Sequence, residues 1–380
     1  MTDDPDTEMI RSSTAKLAER YGRAYWLQCT WDGHPMDELW QALGDLGFLG
    51  MAIPEQYGGS GGSVRQLAVV SEELAAHGVL SLSLIISAAM GSVVLARHGS
   101  EAQRARYLPH LASGELRVGF AITEPDTGPY GLDIRTQATR EGQGYRLRGH
   151  KIFVSNFDAT GSILLVARTS PSDAAPDEQS GLSLFMVDAD SQGVDRSRMK
   201  VEVKGPEHPW VLYLDDVFVP ESAQIGPTGR GRDVLFDALD PGFIAVAATC
   251  VGLGRYAVGK AVHHAQTHRP LGAHPSLAHP LAEVHTQLEL SALATERAAR
   301  LFDEGSDASL YATMARVAAA DAAIAAVDQA IEIHGTSGFT ADADLISLWT
   351  WARLMRAVPI SRELALDHIK EHGLGLLGTS

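Results

Sequence analysis

The feature that most restricts the fold is a change in residue pattern along the chain. Up to about residue 115, segments such as DELWQALGDLGFLGM and VRQLAVVSEELAAHG place apolar side chains three and four apart with charges opposite, as amphipathic helices do. From Arg117 to Pro220 this gives way to short β-rich runs: RVGFAIT, YRLRGHKIFVSN, SILLVARTS, LSLFMVDAD and VLYLDDVFVP. Clusters of Gly, Pro, Asp and Ser separate them at strand-like intervals, with PSDAAPDEQSG as a polar loop or hairpin. Beyond about Asp233 helical spacing returns, and AAVDQAIEIHG with the alanine-rich run before it reads as closely packed bundle helices. A chain of 380 residues exceeds what one core usually spans. The switch points therefore predict an α+β chain with an N-terminal helical domain (1–115), a middle antiparallel β domain (116–232) and a C-terminal helical bundle (233–380). No repeat of solenoid period occurs, and a βαβ nucleotide-binding arrangement is disfavoured.

Charge and cysteine content narrow the partners. A net charge of -16 argues against a sequence-independent grip on nucleic acid, so a phosphate-bearing ligand must rely on local backbone donors and a few arginines. Cys29 and Cys250 cannot make a disulfide framework, which suits a reducing compartment. MTDDPDTEMIRSS is acidic and lacks the basic start and apolar run of an export signal, so the expected location is the cytoplasm. The uncharged stretch from Val79 to Ala96 approaches the length of a membrane span, but four serines and a glycine interrupt it. It is read as a buried helix, with no membrane partner.

Several motifs are weak. Gly58, Gly59, Gly61 and Gly62 lack the Lys-Ser/Thr pair of a phosphate loop and read as an inter-helix turn. His264 and His268 stand four apart in a histidine-rich segment, yet no third or fourth ligand can be named, and no metal is predicted. Ser13 and Lys16 have SxxK spacing without a KTG companion, and no GxSxG elbow occurs.

A stronger signal lies in two segments, FAITEPDTG (120–128) and GHKIFVSN (149–156). Each reads as a strand ending in small hydroxyl residues and a turn, which sets Thr123 and Ser155 where they can donate to a planar ligand. Either segment alone is equally plain strand-turn chemistry.

Together, and in order with IPEQYGG, LPHLASGE, LDDVFVP and HGTSGFT, they resemble the acyl-CoA dehydrogenase family, whose signatures read AITEPxxGSD and GxKxWITN. The resemblance runs along nearly the whole chain. It implies an N-terminal all-α domain, a middle β domain, a C-terminal four-helix bundle and an FAD-dependent oxidoreductase acting on an acyl thioester of coenzyme A or a carrier protein. By that resemblance Phe120, Ile122, Thr123, Gly128, Phe153 and Ser155 are cofactor-binding, with Thr123 and Ser155 at positions that bind the flavin ring and Phe153 at the aromatic residue flanking it. His268 falls at the Arg of RxxFG, with Arg269 beside it. Glu332, Gly335 and Thr336 match the QxxGG segment that reaches the cofactor from a neighbouring subunit, which implies a homo-oligomer or a hetero-oligomer with a homologue.

The departures concern chemistry. Pro129 and Tyr130 replace the Ser-Asp of GSD, and Thr350 and Trp351 stand at the family's Arg-Asp. In this family a glutamate removes the α-proton while the β-hydrogen leaves as hydride to the flavin. Counting without gaps, that glutamate falls on Pro359, and its minority location falls on Gly242. The nearest carboxylates able to substitute are Asp240 and Glu363. Loss of the base also admits a flavin-dependent monooxygenase, or a non-catalytic partner subunit of a heteromeric enzyme.

Overall fold

The computed structural model describes residues 5–61, 63–125, 134–155, 157–159, 161–170, 181–267 and 275–376. The N-terminal helices are α1 (Pro5–Arg20), α2 (Arg23–Asp32), α3 (Asp37–Asp45), α4 (Val64–Ala76), α5 (Ser92–His98) and α6 (Glu101–Ser113). Their ends follow from local chemistry. The Ser63 hydroxyl accepts from the Gln66 amide at 3.1 Å to start α4. Ser100 and Gln103 close a reciprocal capping box on α6, which stops at Gly114 with φ 81°. The uncharged stretch forms a buried π-helical segment, Leu84–Gly91, running into α5, in line with its reading as a core helix.

The C-terminal part holds α7 (Gly231–Thr267), α8 (Pro275–Asp303), α9 (Ser309–His334), α10 (Leu345–Met355) and α11 (Arg362–Leu374). Buried alanines at 315, 319, 322, 326 and 330 recur along α9 and allow it to lie close against α7. Gly252 does the same where α7 crosses α4, since a Cβ there would stand 2.1 Å from the Glu72 carbonyl oxygen. The most apolar stretch of α7 is long enough to cross a membrane, but 83% of it is buried within the protein.

Between the helical parts lies one sheet of β1 (Val118–Ala121), β2 (Gln137–Glu141), β3 (Gly144–Ser155), β4 (Ser162–Arg168), β5 (Leu182–Asp188), β6 (Val194–Arg198), β7 (Pro209–Pro220) and β8 (Gln224–Ile225). Strand order is β6-β7-β3-β2-β4-β5-β8, with β1 paired to β4. The expectation of a purely antiparallel sheet is corrected, because β1–β4 and β2–β4 run parallel. β3 and β4 flank β2 on its two sides and run in opposite directions, so β2, antiparallel to β3, runs with β4. β4 is buried on both faces. Leu164 and Val166 join the helical core, while Ile163, Leu165 and Ala167 fill the sheet's own core.

Candidate active site

Where the ends of β1 and β3 meet α7, α9 and the α10–α11 connection, the chain encloses a cavity of about 700 Å³. That volume suits a cofactor or small-molecule site. One wall carries Ile122, Thr123, Phe153 and Ser155; elsewhere the lining is largely apolar, with Leu235, Leu239 and Phe243 of α7, Leu354 in the last turn of α10, and Val358 and Pro359 beyond it.

The first wall is held by a buried ion pair that the sequence reading did not single out. Lys151, fully buried, donates to the Glu124 carboxylate at 2.7 Å and to the Ile122 carbonyl at 2.9 Å. Glu124 also accepts from the Arg135 and Thr136 amides at 2.8 and 2.9 Å, and the Ile152 amide donates to the Thr123 carbonyl at 2.9 Å. Burial lowers the Lys151 ammonium to about 8 against the pull of Glu124. Burial works to raise Glu124, but Lys151 and the donors from Thr136 and Arg135 outweigh it and hold the carboxyl below its ordinary value. Both members of the pair lie inside the matched motifs, which was the available signal.

Beyond Lys151 the pairing of β3 with β7 slips by one residue before Val154. Within this bulge Phe153 takes φ 57°, unusual for a bulky residue, and its side chain turns out into the cavity, 53% exposed. An aromatic face flanked by two hydroxyl residues fits the ring of a flavin. Phe120, by contrast, is buried in the helical core and does not line the cavity, because β1 alternates its faces. Gly128, Pro129, Tyr130, His268 and Arg269 lie outside the described residues. Glu332, Gly335 and Thr336 at the end of α9 are exposed and do not line this chain's cavity.

The carboxylates separate clearly. Asp240 on α7 lines the cavity, whereas Glu363 in the first turn of α11 is exposed and does not. Burial foremost, then Asp307 and Asp237, push the Asp240 carboxyl up to about 7, against the Ser309 hydroxyl and Arg97. Ser309 in turn lies 3.0 Å from Nε2 of His368. Glu207, another cavity-lining carboxylate, was not anticipated. It accepts from the Ser81 hydroxyl at 2.9 Å, the Ser83 amide at 3.1 Å and the Leu82 amide, so it is engaged at the start of the π-helical segment. Burial raises its carboxyl and those donors oppose the rise.

Pro359 lines the cavity in a connection gripped by Arg316. This α9 guanidinium, 1% exposed, donates to the carbonyls of Arg356 at 2.9 Å, Val358 at 3.1 Å and Ile360. Burial lowers it to about 10.

With this geometry in view, comparison with known proteins places the chain. The N-terminal, middle and C-terminal domains of acyl-CoA dehydrogenase match residues 4–115, 119–216 and 229–374. Acyl-CoA dehydrogenase FadE12 of Mycobacterium tuberculosis is 38% identical over 98% of this chain and 96% of its own length. The chain belongs to the acyl-CoA dehydrogenase family. Another member, an acyl-CoA dehydrogenase of Bacillus subtilis, is 30% identical over 89% of this chain and 90% of its own. The solved complex of glutaryl-coenzyme A dehydrogenase with glutaryl-CoA superposes with a TM-score of 0.92 at 25% identity, covering 99% and 97% of the two chains. Membership of the acyl-CoA dehydrogenase family makes the protein an FAD-dependent oxidoreductase of acyl thioesters.

The structure also shows what surrounds Gly242 and Trp351. A Cβ on Gly242 would point at Met90, 2.9 Å away in the helical core, so that location presents no side chain to the cavity. Trp351 is buried edge-on against Trp26 and donates to the Lys204 carbonyl at 2.8 Å.

Proposed function

We propose that this acyl-CoA dehydrogenase homologue performs α,β-dehydrogenation of an acyl thioester with Asp240 in the role of the missing glutamate. The supporting observation is the placement of Asp240: its carboxyl opens onto the same cavity as Thr123, Phe153 and Ser155, and burial has brought it to about 7. A base works best with a pKa near the operating pH. Bound FAD supplies the hydride acceptor. The chain's residues do the rest: Thr123, Ser155 and Phe153 hold the ring, Leu239 and Phe243 exclude water from the acyl chain, and Asp240 takes the Cα proton onto its carboxylate.

The thioester carrier is coenzyme A or an acyl carrier protein. Glu332, Gly335 and Thr336, exposed and away from their own chain's cavity, support an oligomer in which each chain completes its neighbour's cofactor site. The two cysteines, both free, are in keeping with a cytoplasmic location.

The test is anaerobic flavin reduction by a panel of straight-chain, branched and cyclic acyl-CoA thioesters. Asp240→Asn should retain FAD and lose roughly two to four orders of magnitude in the reductive rate. A variant that reduces flavin as fast as the parent, with only KM raised, would make Asp240 a binding group and end the proposal.

A further inference from the structure

Buried ion pairs are poor sources of stability: their desolvation cost roughly cancels their attraction, and apolar replacements of similar volume often do as well. The Lys151–Glu124 pair therefore calls for a role other than holding the β domain together. Its hydrogen bonds suggest one. Lys151 joins Glu124 to the Ile122 carbonyl, and Glu124 gathers the Arg135 and Thr136 amides, so three chain segments are stitched at one point beneath the cavity wall. Gly149 permits this approach, since a Cβ there would stand 2.3 Å from the Thr136 hydroxyl oxygen.

The consequence concerns one peptide group. In a trans peptide the carbonyl and the following N–H point in opposite directions. The Ile122 carbonyl is drawn inward to Lys151, so the Thr123 N–H on the same peptide is turned away from the pair. Thr123 lines the cavity, and among the described residues no protein acceptor takes its amide. The Thr123 carbonyl, on the following peptide, accepts from the Ile152 amide, so the backbone is held on both sides of the Thr123 Cα.

We infer that Lys151 and Glu124 are positioning residues for the cofactor: their pair orients the Ile122–Thr123 peptide so that the Thr123 amide is presented to the polar edge of the flavin ring. This rests on FAD binding at the wall of Thr123, Phe153 and Ser155, and adds which buried groups make that wall competent. Neither Lys151 nor Glu124 touches the ring; they act through the Thr123 backbone.

The experiment compares the parent protein with Lys151→Met, Glu124→Gln and the double variant. Each single change strands one buried partner and should lower stability. The double change removes both charges and should return the unfolding midpoint towards that of the parent. It should not return the cofactor site: its FAD dissociation constant should stay at least ~10-fold raised, the loss of about one hydrogen bond, with an altered visible flavin spectrum. A double variant that recovers both stability and parental FAD affinity and spectrum overturns the inference. A second measurement needs no variant: hydrogen exchange of the Thr123 amide in the parent protein should slow on adding FAD. An unchanged rate on the FAD-loaded protein overturns the inference, whereas failure of the parent to bind FAD at all refutes the cofactor assignment itself.

Discussion

Asp240 should cost this protein stability that grows as pH rises from about 4 to about 7, and replacing it with asparagine should recover that stability over the same window. Its folded-state pKa is raised from an ordinary 3.8 to about 7. The native state therefore keeps a proton that the unfolded chain has already released between those values, and stability falls as pH rises through that window. The penalty is nearly absent at the unfolded value and complete above about 7. At about 1.36 kcal/mol per unit the full shift corresponds to ~4 kcal/mol, a ceiling that solvent reaching the open side of the cavity will reduce. Asparagine stays neutral throughout, so Asp240→Asn should match the parent near pH 4 and exceed it by ~2–4 kcal/mol at pH 8. Urea unfolding of the FAD-free proteins at pH 5 and pH 8 reads this directly, since the advantage must grow between the two. A constant difference at both values would mean that Asp240 is not raised, and would refute both the stability argument and the reason for choosing it as base.

Two further outcomes follow from the cavity wall. Because Pro359 lines the cavity, and a gapless count from the Thr350-Trp351-Ala352-Arg353 segment puts the family's glutamate there, Pro359→Glu in the Asp240→Asn background should restore flavin reduction by at least ~10-fold over Asp240→Asn alone; no recovery in stopped-flow reduction would mean that position 359 does not reach the α-proton. Arg316→Met should strand the carbonyls of Arg356, Val358 and Ile360 and cost ~2–4 kcal/mol in denaturant unfolding; a change under ~0.5 kcal/mol would show that water replaces the guanidinium without loss.

The sequence by itself determined the order of helical, β and helical parts, because hydrophobic spacing and punctuation by Gly, Pro and Asp are local properties that each segment carries alone. It also singled out Thr123, Phe153 and Ser155, whose motifs sit at strand ends and can be read in place, and the structure sets all three on one cavity. Tertiary structure decided what depends on packing between distant segments. The mixed pairing of the sheet arises only when β2 is placed between β3 and β4. Asp240 and Glu363 were equal candidates in the sequence, being similar carboxylates near Gly242 and Pro359, the two positions counted for the family's glutamate. The fold separates them, setting Asp240 half-buried on the cavity and leaving Glu363 in solvent. Glu207 and Arg316 were not legible at all, since their partners lie 124 and 40 or more residues away in sequence and are mainly backbone groups that any residue type presents. A carboxylate's chemistry is set by burial and neighbouring charge, and neither exists until the chain has closed around it.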